Sequence, residues 1–196
     1  LAGIHFLVWC RNRTTWGNLV FSFLAMGTAA WTFCELWMMR ADTPVEFATV
    51  LKWGHIAVWL IVVSLVVFVR LFLRAGRPWL AWTVCGLRTL LLIVNFLVGQ
   101  NLNYREVTRL GHMRLLGESV TIVEGVPNPW ILLGQLNLVI LIIFLVDATV
   151  TTWRRRIAIV IVPLIAAAAV VAPWAVRSST VFGRVVAVST NGGDNL

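Results

Sequence analysis

Apolar residues fill long uninterrupted runs of this chain, and polar residues gather between the runs. After a short apolar start, LAGIHFLVWC, five longer runs follow at roughly 17–39, 52–73, 78–98, 130–152 and 157–176. An α-helix needs about 20 apolar residues to cross about 30 Å of hydrocarbon, so each run predicts one transmembrane helix. The opening stretch is too short to span and reads as the tail of a helix whose start is missing. The expected fold is therefore all-α: a polytopic transmembrane helical bundle over 1–176, with about six helices visible and the first truncated. Residues 177–196 contain only short apolar pieces and end in Gly-Gly-Asp-Asn-Leu, a polar tail that does not read as a span.

Local signals agree with these boundaries. Thr43-Pro44 marks a helix start, with Thr43 as N-cap and Glu46 in the first turn. Arg74-Ala-Gly-Arg77-Pro78 is a tight turn, and Pro78 suits the first turn of the next helix, where its missing N–H costs nothing.

The longest polar stretch, NYREVTRLGHMRLLGESVTIVEGVPNPW, runs from 103 to 130 and makes up most of a connection at 99–129. Val107, Leu110, Met113 or Leu115, and Leu116 recur at roughly helical spacing, with Arg105, Glu106 and Arg109 off that stripe. The spacing predicts a short amphipathic helix lying on the membrane surface and ended by Gly117. SVTIVEG then reads as extended, and Pro127-Asn128-Pro129 turns the chain into the next span. A plain connector could be far shorter, which favours a lid over one end of the bundle.

Composition sharpens the class. The chain has 196 residues, 60% hydrophobic and 12% charged, against roughly 25% charged in soluble domains. The net charge of +8 is not a nucleic-acid footprint, because the basic residues cluster at the ends of apolar runs. Arg11, Arg13, Arg70, Arg74, Arg77 and the Arg154–Arg156 run fall in short loops on one side. On the other side, Arg40, Lys52, Arg105, Arg109 and Arg114 are diluted by Asp42, Glu46, Glu106, Glu118 and Glu124. Dense positive charge in short loops belongs in the cytoplasm, which puts the 99–129 loop on the extracytoplasmic side. Trp residues near the span ends fit interfacial belts.

Ionisable and amide side chains at membrane depth usually face a bundle interior. At about 1.5 Å per residue, Glu35, His55, Asn95, Gln135 and Asn137 all fall in the outer half, just under the loop. Arg88 lies one or two turns deeper. These six are the candidate ligand-sensing residues of an outer-half polar pocket. For Asn95, Gln135 and Asn137, plain interhelical hydrogen bonding is the competing reading; for Glu35, His55 and Arg88, the cost of carrying charge there favours function. In the other half, Asp147 matches Arg70 in depth and suggests a structural ion pair, with Arg154 as an alternative partner.

Covalent chemistry has no motif here: no phosphate-cradling loop, nucleophile elbow or zinc-protease pattern occurs. His5, His55 and His112 do not share a helix face at ligand spacing, so neither metal nor haem is expected. Cys10, Cys34 and Cys85 read as small buried apolar residues. No catalytic residue, metal or cofactor is expected in this chain, and the lipid bilayer is its first partner.

From about Gly3 to Arg156 the sequence resembles the N-terminal seven-helix membrane sensor region of proteobacterial sensor histidine kinases. GRPWLAW, LNYRE, LLGE and EGVPNPW carry most of the similarity. The resemblance implies one helix before the first full span and a seventh leading back to the cytoplasm. It also implies downstream signalling domains, a homodimer formed through the parent kinase, a small-molecule or membrane stimulus, and a bacterial inner-membrane location. The sequence departs from the pattern after about Arg177, with no seventh span, phospho-accepting His box or ATP-binding glycine boxes. ATP-dependent autophosphorylation would belong only to a parent protein. Two readings compete with a sensor: a small membrane transporter using Glu35, His55 and Arg88 as a pathway, and a structural membrane subunit.

Overall fold

The computed structural model describes residues 1–115 and 118–149; the expected span at 157–176, the 177–196 tail and Arg154 lie outside them. Five helices and two strands follow in the order α1 (Ala2–Arg11), α2 (Trp16–Met39), α3 (Pro44–Phe72), α4 (Pro78–Leu97), β1 (Tyr104–Leu115), β2 (Glu118–Pro127) and α5 (Ile131–Thr149). Among the described residues, α2 to α5 are the four helices long and apolar enough to cross a membrane. The chain is a mostly helical membrane protein. Exposed Leu, Ile, Val and Phe on these helices suit lipid, which supplies the apolar solvent a water-soluble bundle would lack.

Helix starts follow their local chemistry. The Thr43 hydroxyl accepts the Glu46 N–H at 3.2 Å, and Pro44 opens α3. This cap starts α3 eight residues before the expected apolar run, and the added two turns bring Phe47, Val50 and Leu51 against Met38 of α2. Between α3 and α4 the chain reverses through Arg74 (φ 48°) and Gly76 (φ 78°). A left-handed residue such as Arg74 is uncommon and needs support from its surroundings. Beside it, Arg70 Nη1 donates to the carbonyls of Ala75 and Gly76.

Helices that follow in sequence are neighbours in space. Ser22 of α2 donates to the Ala2 carbonyl of α1 at 2.8 Å, and His5 Nδ1 meets Asn18 Oδ1 at 2.9 Å. Close α2–α3 packing rests on small residues. Gly27 lies against Ala57 and Ile61, while Gly54 lies under the Trp31 ring, where an added Cβ would come within 2.9 Å. Small residues let helix backbones approach in this way. One apolar cluster, including Val62, Val66, Val84, Leu141 and Phe144, joins α3, α4 and α5.

The all-α expectation fails at the 99–129 connection. Its polar stretch forms an antiparallel hairpin of β1 and β2 rather than a surface helix; SVTIVEG is extended, as expected. The physical reason lies in two irregularities of β1. The pairs Tyr104–Pro127, Val107–Gly125 and Leu110–Val123 join positions three apart on β1 to positions two apart on β2. Alternate β2 residues share a face, so Tyr104, Val107 and Leu110 do too. Each bulge inserts one residue, and the result imitates a helical stripe. Val107 and Thr108 with Val120, Thr121, Ile122 and Val123 supply the β-branched content that favours strands.

The hairpin sits at the end of the bundle where α2 finishes and α3 begins. Val107 is buried, and Tyr104 packs near Met38, Val50 and Leu51. The Thr121 hydroxyl donates to the Met39 carbonyl at 2.9 Å. The expectation that this connection shares an end with the α2–α3 turn therefore holds.

Candidate functional site

The connection is fastened to the helices by amide side chains. On α4, Asn95 Nδ2 donates to the Lys52 carbonyl of α3, and Asn95 Oδ1 accepts the Leu102 N–H, both at 2.9 Å. The fully buried Asn101 accepts the N–H groups of Asn103 and Tyr104 through Oδ1. Such side-chain turns are what Asn makes readily in a loop. Asn128, also fully buried, donates through Nδ2 to the Asn101 carbonyl, and its own N–H reaches the Asn103 carbonyl at 2.9 Å. Gln100 Oε1 accepts the Val107 N–H at 2.7 Å. Both hairpin ends are thus tied to each other and to the tops of α3 and α4.

Two ionisable groups lie beneath this amide layer. His55 of α3 is buried, and its Nδ1 faces the Leu51 carbonyl at 2.8 Å. A carbonyl can only accept, so Nδ1 carries the proton, and Nε2 is left for another partner. The Asn103 side chain lies alongside, and His55 is close enough to Arg88 to experience its charge. Arg88 of α4 is 6% exposed, and its Nε has no hydrogen-bond partner. Asn137 of α5, fully buried, donates through Nδ2 to the Val84 carbonyl of α4 at 3.0 Å. That bond fixes the amide orientation and leaves Asn137 Oδ1 buried without a partner. His55, Arg88, Asn95 and Asn137 therefore belong to one polar region between α3, α4 and α5.

The other expected residues sit elsewhere. Gln135 is exposed on α5, so the helical turn that buries Asn137 carries Gln135 outward. Glu35 is half-buried on α2, where its Oε1 accepts the Trp31 indole N–H at 2.8 Å. No hydrogen bond or ion pair joins Glu35 to His55 or Arg88 among the described residues. At the opposite end, among the described residues, Asp147 pairs with Arg77 rather than Arg70. Arg77 Nε lies 3.6 Å from Oδ1, and the Arg77 N–H donates to Oδ2 at 3.1 Å. The Arg70 guanidinium turns to the Ala75 and Gly76 carbonyls instead. Matching depth along helices gave the level of these groups but not the rotation that chooses between Arg70 and Arg77.

Sequence reasoning missed Gln100, Asn101 and Asn128. The signal was present in GQNLN and PNP, where amide residues punctuate both ends of a polar segment. The arrangement ties the hairpin connection to α3 and α4 and leaves Arg88 Nε and Asn137 Oδ1 buried without partners. It holds no nucleophile–base pair.

The chain matches no protein-family model, no curated protein and no solved structure.

Proposed function

We propose that this bundle is the membrane-embedded sensing module of a two-component sensor histidine kinase in a bacterial inner membrane. The hairpin faces the extracytoplasmic side and roofs a polar region that responds to a small molecule or to membrane state. The resemblance of residues 3–156 to such sensor regions supports this reading, as does the concentration of basic residues at the end opposite the hairpin.

One observation carries it furthest: the asymmetry of the bundle interior. His55, Asn95 and the amides of Gln100, Asn101 and Asn128 lie toward the hairpin end, with Arg88 and Asn137 near mid-span. The cluster around Val66, Leu141 and Phe144 instead fills the interior toward the opposite end with apolar side chains. A transporter needs polar groups across both halves of the membrane. A sensor needs a stimulus that stabilises one helix arrangement over another, since a ligand shifts an equilibrium only by its differential affinity. Hairpin ties to α2 through Thr121, and to α3 and α4 through Asn95, give such a ligand mechanical access to three helices. A homodimer through the parent kinase and ATP-dependent autophosphorylation complete the proposal.

Two measurements test it. A cysteine at Gly111 should react with a membrane-impermeant reagent added from outside intact cells; labelling only from the cytosol inverts the topology and ends the reading. PAS or kinase domains in the reading frame beyond residue 196 are expected in the source genome, and a different class of domain there would overturn it.

A further inference from the structure

We infer that the polar region between α3, α4 and α5 binds an anion, and that its ligand is a small carboxylate held by the Arg88 guanidinium. This deepens the sensing reading and rests on it for the role of signal. Binding itself can be measured without any signalling output.

Arg88 is ten residues from Pro78 and nine from Leu97, which at about 1.5 Å per residue places it roughly 13–15 Å from either helix end. An arginine does not deprotonate in a protein, so it carries its charge into the middle of the bundle. A buried charge without a counter-charge is strongly unfavourable, and intramembrane arginines normally pair. Here the residue is 6% exposed and Nε is an orphan donor.

Among the described residues, no hydrogen bond or ion pair links Arg88 to a carboxylate. Of eight acidic residues, Glu35 and Glu46 accept indole N–H groups from Trp31 and Trp37. Asp147 lies with Arg77 at the far end. Asp42, Glu106 and Glu124 are exposed at the hairpin end, and Glu118 opens β2. The eighth, Asp194, lies outside the described residues, and residues 150–193, which include the expected further span, contain no Asp or Glu.

The surroundings favour an oxyanion with a donor of its own. Asn137 is bonded to the Val84 carbonyl, the same carbonyl that accepts the Arg88 N–H in an α-helical ladder. The orphan acceptor Asn137 Oδ1 therefore belongs to an α5 amide anchored one helical turn from Arg88 along α4. On the third helix, His55 feels the Arg88 charge. A guanidinium fork matches a carboxylate in two parallel hydrogen bonds, and Asn137 Oδ1 would take an O–H or N–H from the same molecule. A phospholipid headgroup offers a similar oxyanion, but the helix ends are farther away than an arginine side chain extends.

The test is thermal unfolding of the full chain in maltoside micelles, which contain no phosphate. Glycolate and lactate, each a carboxylate with a hydroxyl donor, are compared with glycolamide, lactamide and chloride at matched ionic strength. The carboxylates should raise the unfolding midpoint by several degrees in a saturable way, with the amides and chloride leaving it unchanged. Arg88→Gln should abolish the shift. Equal effects of chloride and carboxylate, or no effect of either on the wild-type chain, would overturn the site even if Arg88→Gln fails to fold. Stabilisation that appears only on adding anionic phospholipid, and disappears in Arg88→Gln, would replace the small carboxylate with a lipid headgroup. A carboxylate shift in a chain whose downstream reading frame encodes no kinase would keep the site and remove the sensor.

Discussion

Asn95 accepts the backbone N–H of Leu102 across 2.9 Å, and through this bond the end of α4 grips the residue that leads into the hairpin. The opposite side of the same amide reaches Lys52 of α3, so one side chain joins two helices and the connection. Both groups are inaccessible to water, and leaving a buried N–H unpaired costs about 1–3 kcal/mol. Asn95→Leu should therefore lower stability by about 2 kcal/mol or more, read as an earlier transition in denaturant titrations in micelles. Asn95→Asp keeps the acceptor for Leu102 but loses the donor to Lys52, and it introduces a buried charge; it should be no better tolerated. A neutral outcome for Asn95→Leu would show that the hairpin is held by other ties.

A second prediction concerns the hairpin itself. Gly125 faces Val107 across the strands, and a Cβ there would stand 2.5 Å from the Glu106 carbonyl oxygen and 3.1 Å from Val107 Cα. Both obstacles are backbone, which cannot swing aside. Gly125→Ala should loosen the β1–β2 pairing while α2 to α5 remain helical, seen as faster proteolysis within 104–127 at unchanged helical circular dichroism. Val126→Ala, at an exposed neighbouring position, should leave cleavage unaltered. Equal cleavage of the two variants would contradict the bulged register.

These residues also mark what the sequence made legible. Runs of apolar residues located four helices, three of them within a few residues at both ends, because spanning length is a strong physical constraint and few other patterns satisfy it. Thr43 and Pro78 gave two helix starts correctly, since capping depends on immediate neighbours. The hairpin was not legible: two bulges shift Tyr104, Val107 and Leu110 to a three-residue repeat, and periodicity alone then points to a helix. Helix rotation was not legible either. Asn137 and Gln135 are two residues apart, so one turns inward and the other outward, and only packing decides which. The depth of His55, Arg88 and Asn95 followed from residue counts, whereas their meeting required the fold.

The contact between Asp147 and Arg77 gives a graded prediction. Arg77 is the residue preceding α4, and a carboxylate there also complements the positive end of the helix dipole. The Arg77 side chain is 64% exposed, so the ion pair itself should contribute less than about 1 kcal/mol. Asp147→Asn, which retains an acceptor for the N–H, should cost less than Asp147→Ala. Asp147→Ala loses that acceptor as well and should cost about 1 kcal/mol, in the range of a lost helix cap. Arg70→Ala should not mimic either change, because Arg70 supports the Ala75 and Gly76 carbonyls instead. Comparing the three unfolding midpoints separates these contacts.

Tyr104 provides a pH dependence that can be read optically, because it is the single tyrosine of the chain. It is half-buried where the hairpin meets Met38, Val50 and Leu51. Loss of solvation raises its phenol above the usual 10.0, since burial disfavours the charged phenolate. A group whose folded value is raised stabilises the fold fully below its unfolded value, and that contribution disappears as pH climbs through the folded value. The docked hairpin should therefore be insensitive to Tyr104 below about pH 10 and weaken above it. Tyrosinate absorbance should appear at higher pH in the folded chain than in the unfolded chain. Tyr104→Phe should remove this component of the alkaline loss while retaining the apolar contact. If both forms titrate at the same pH, Tyr104 is solvated in the folded protein and the hairpin does not close against α2 and α3.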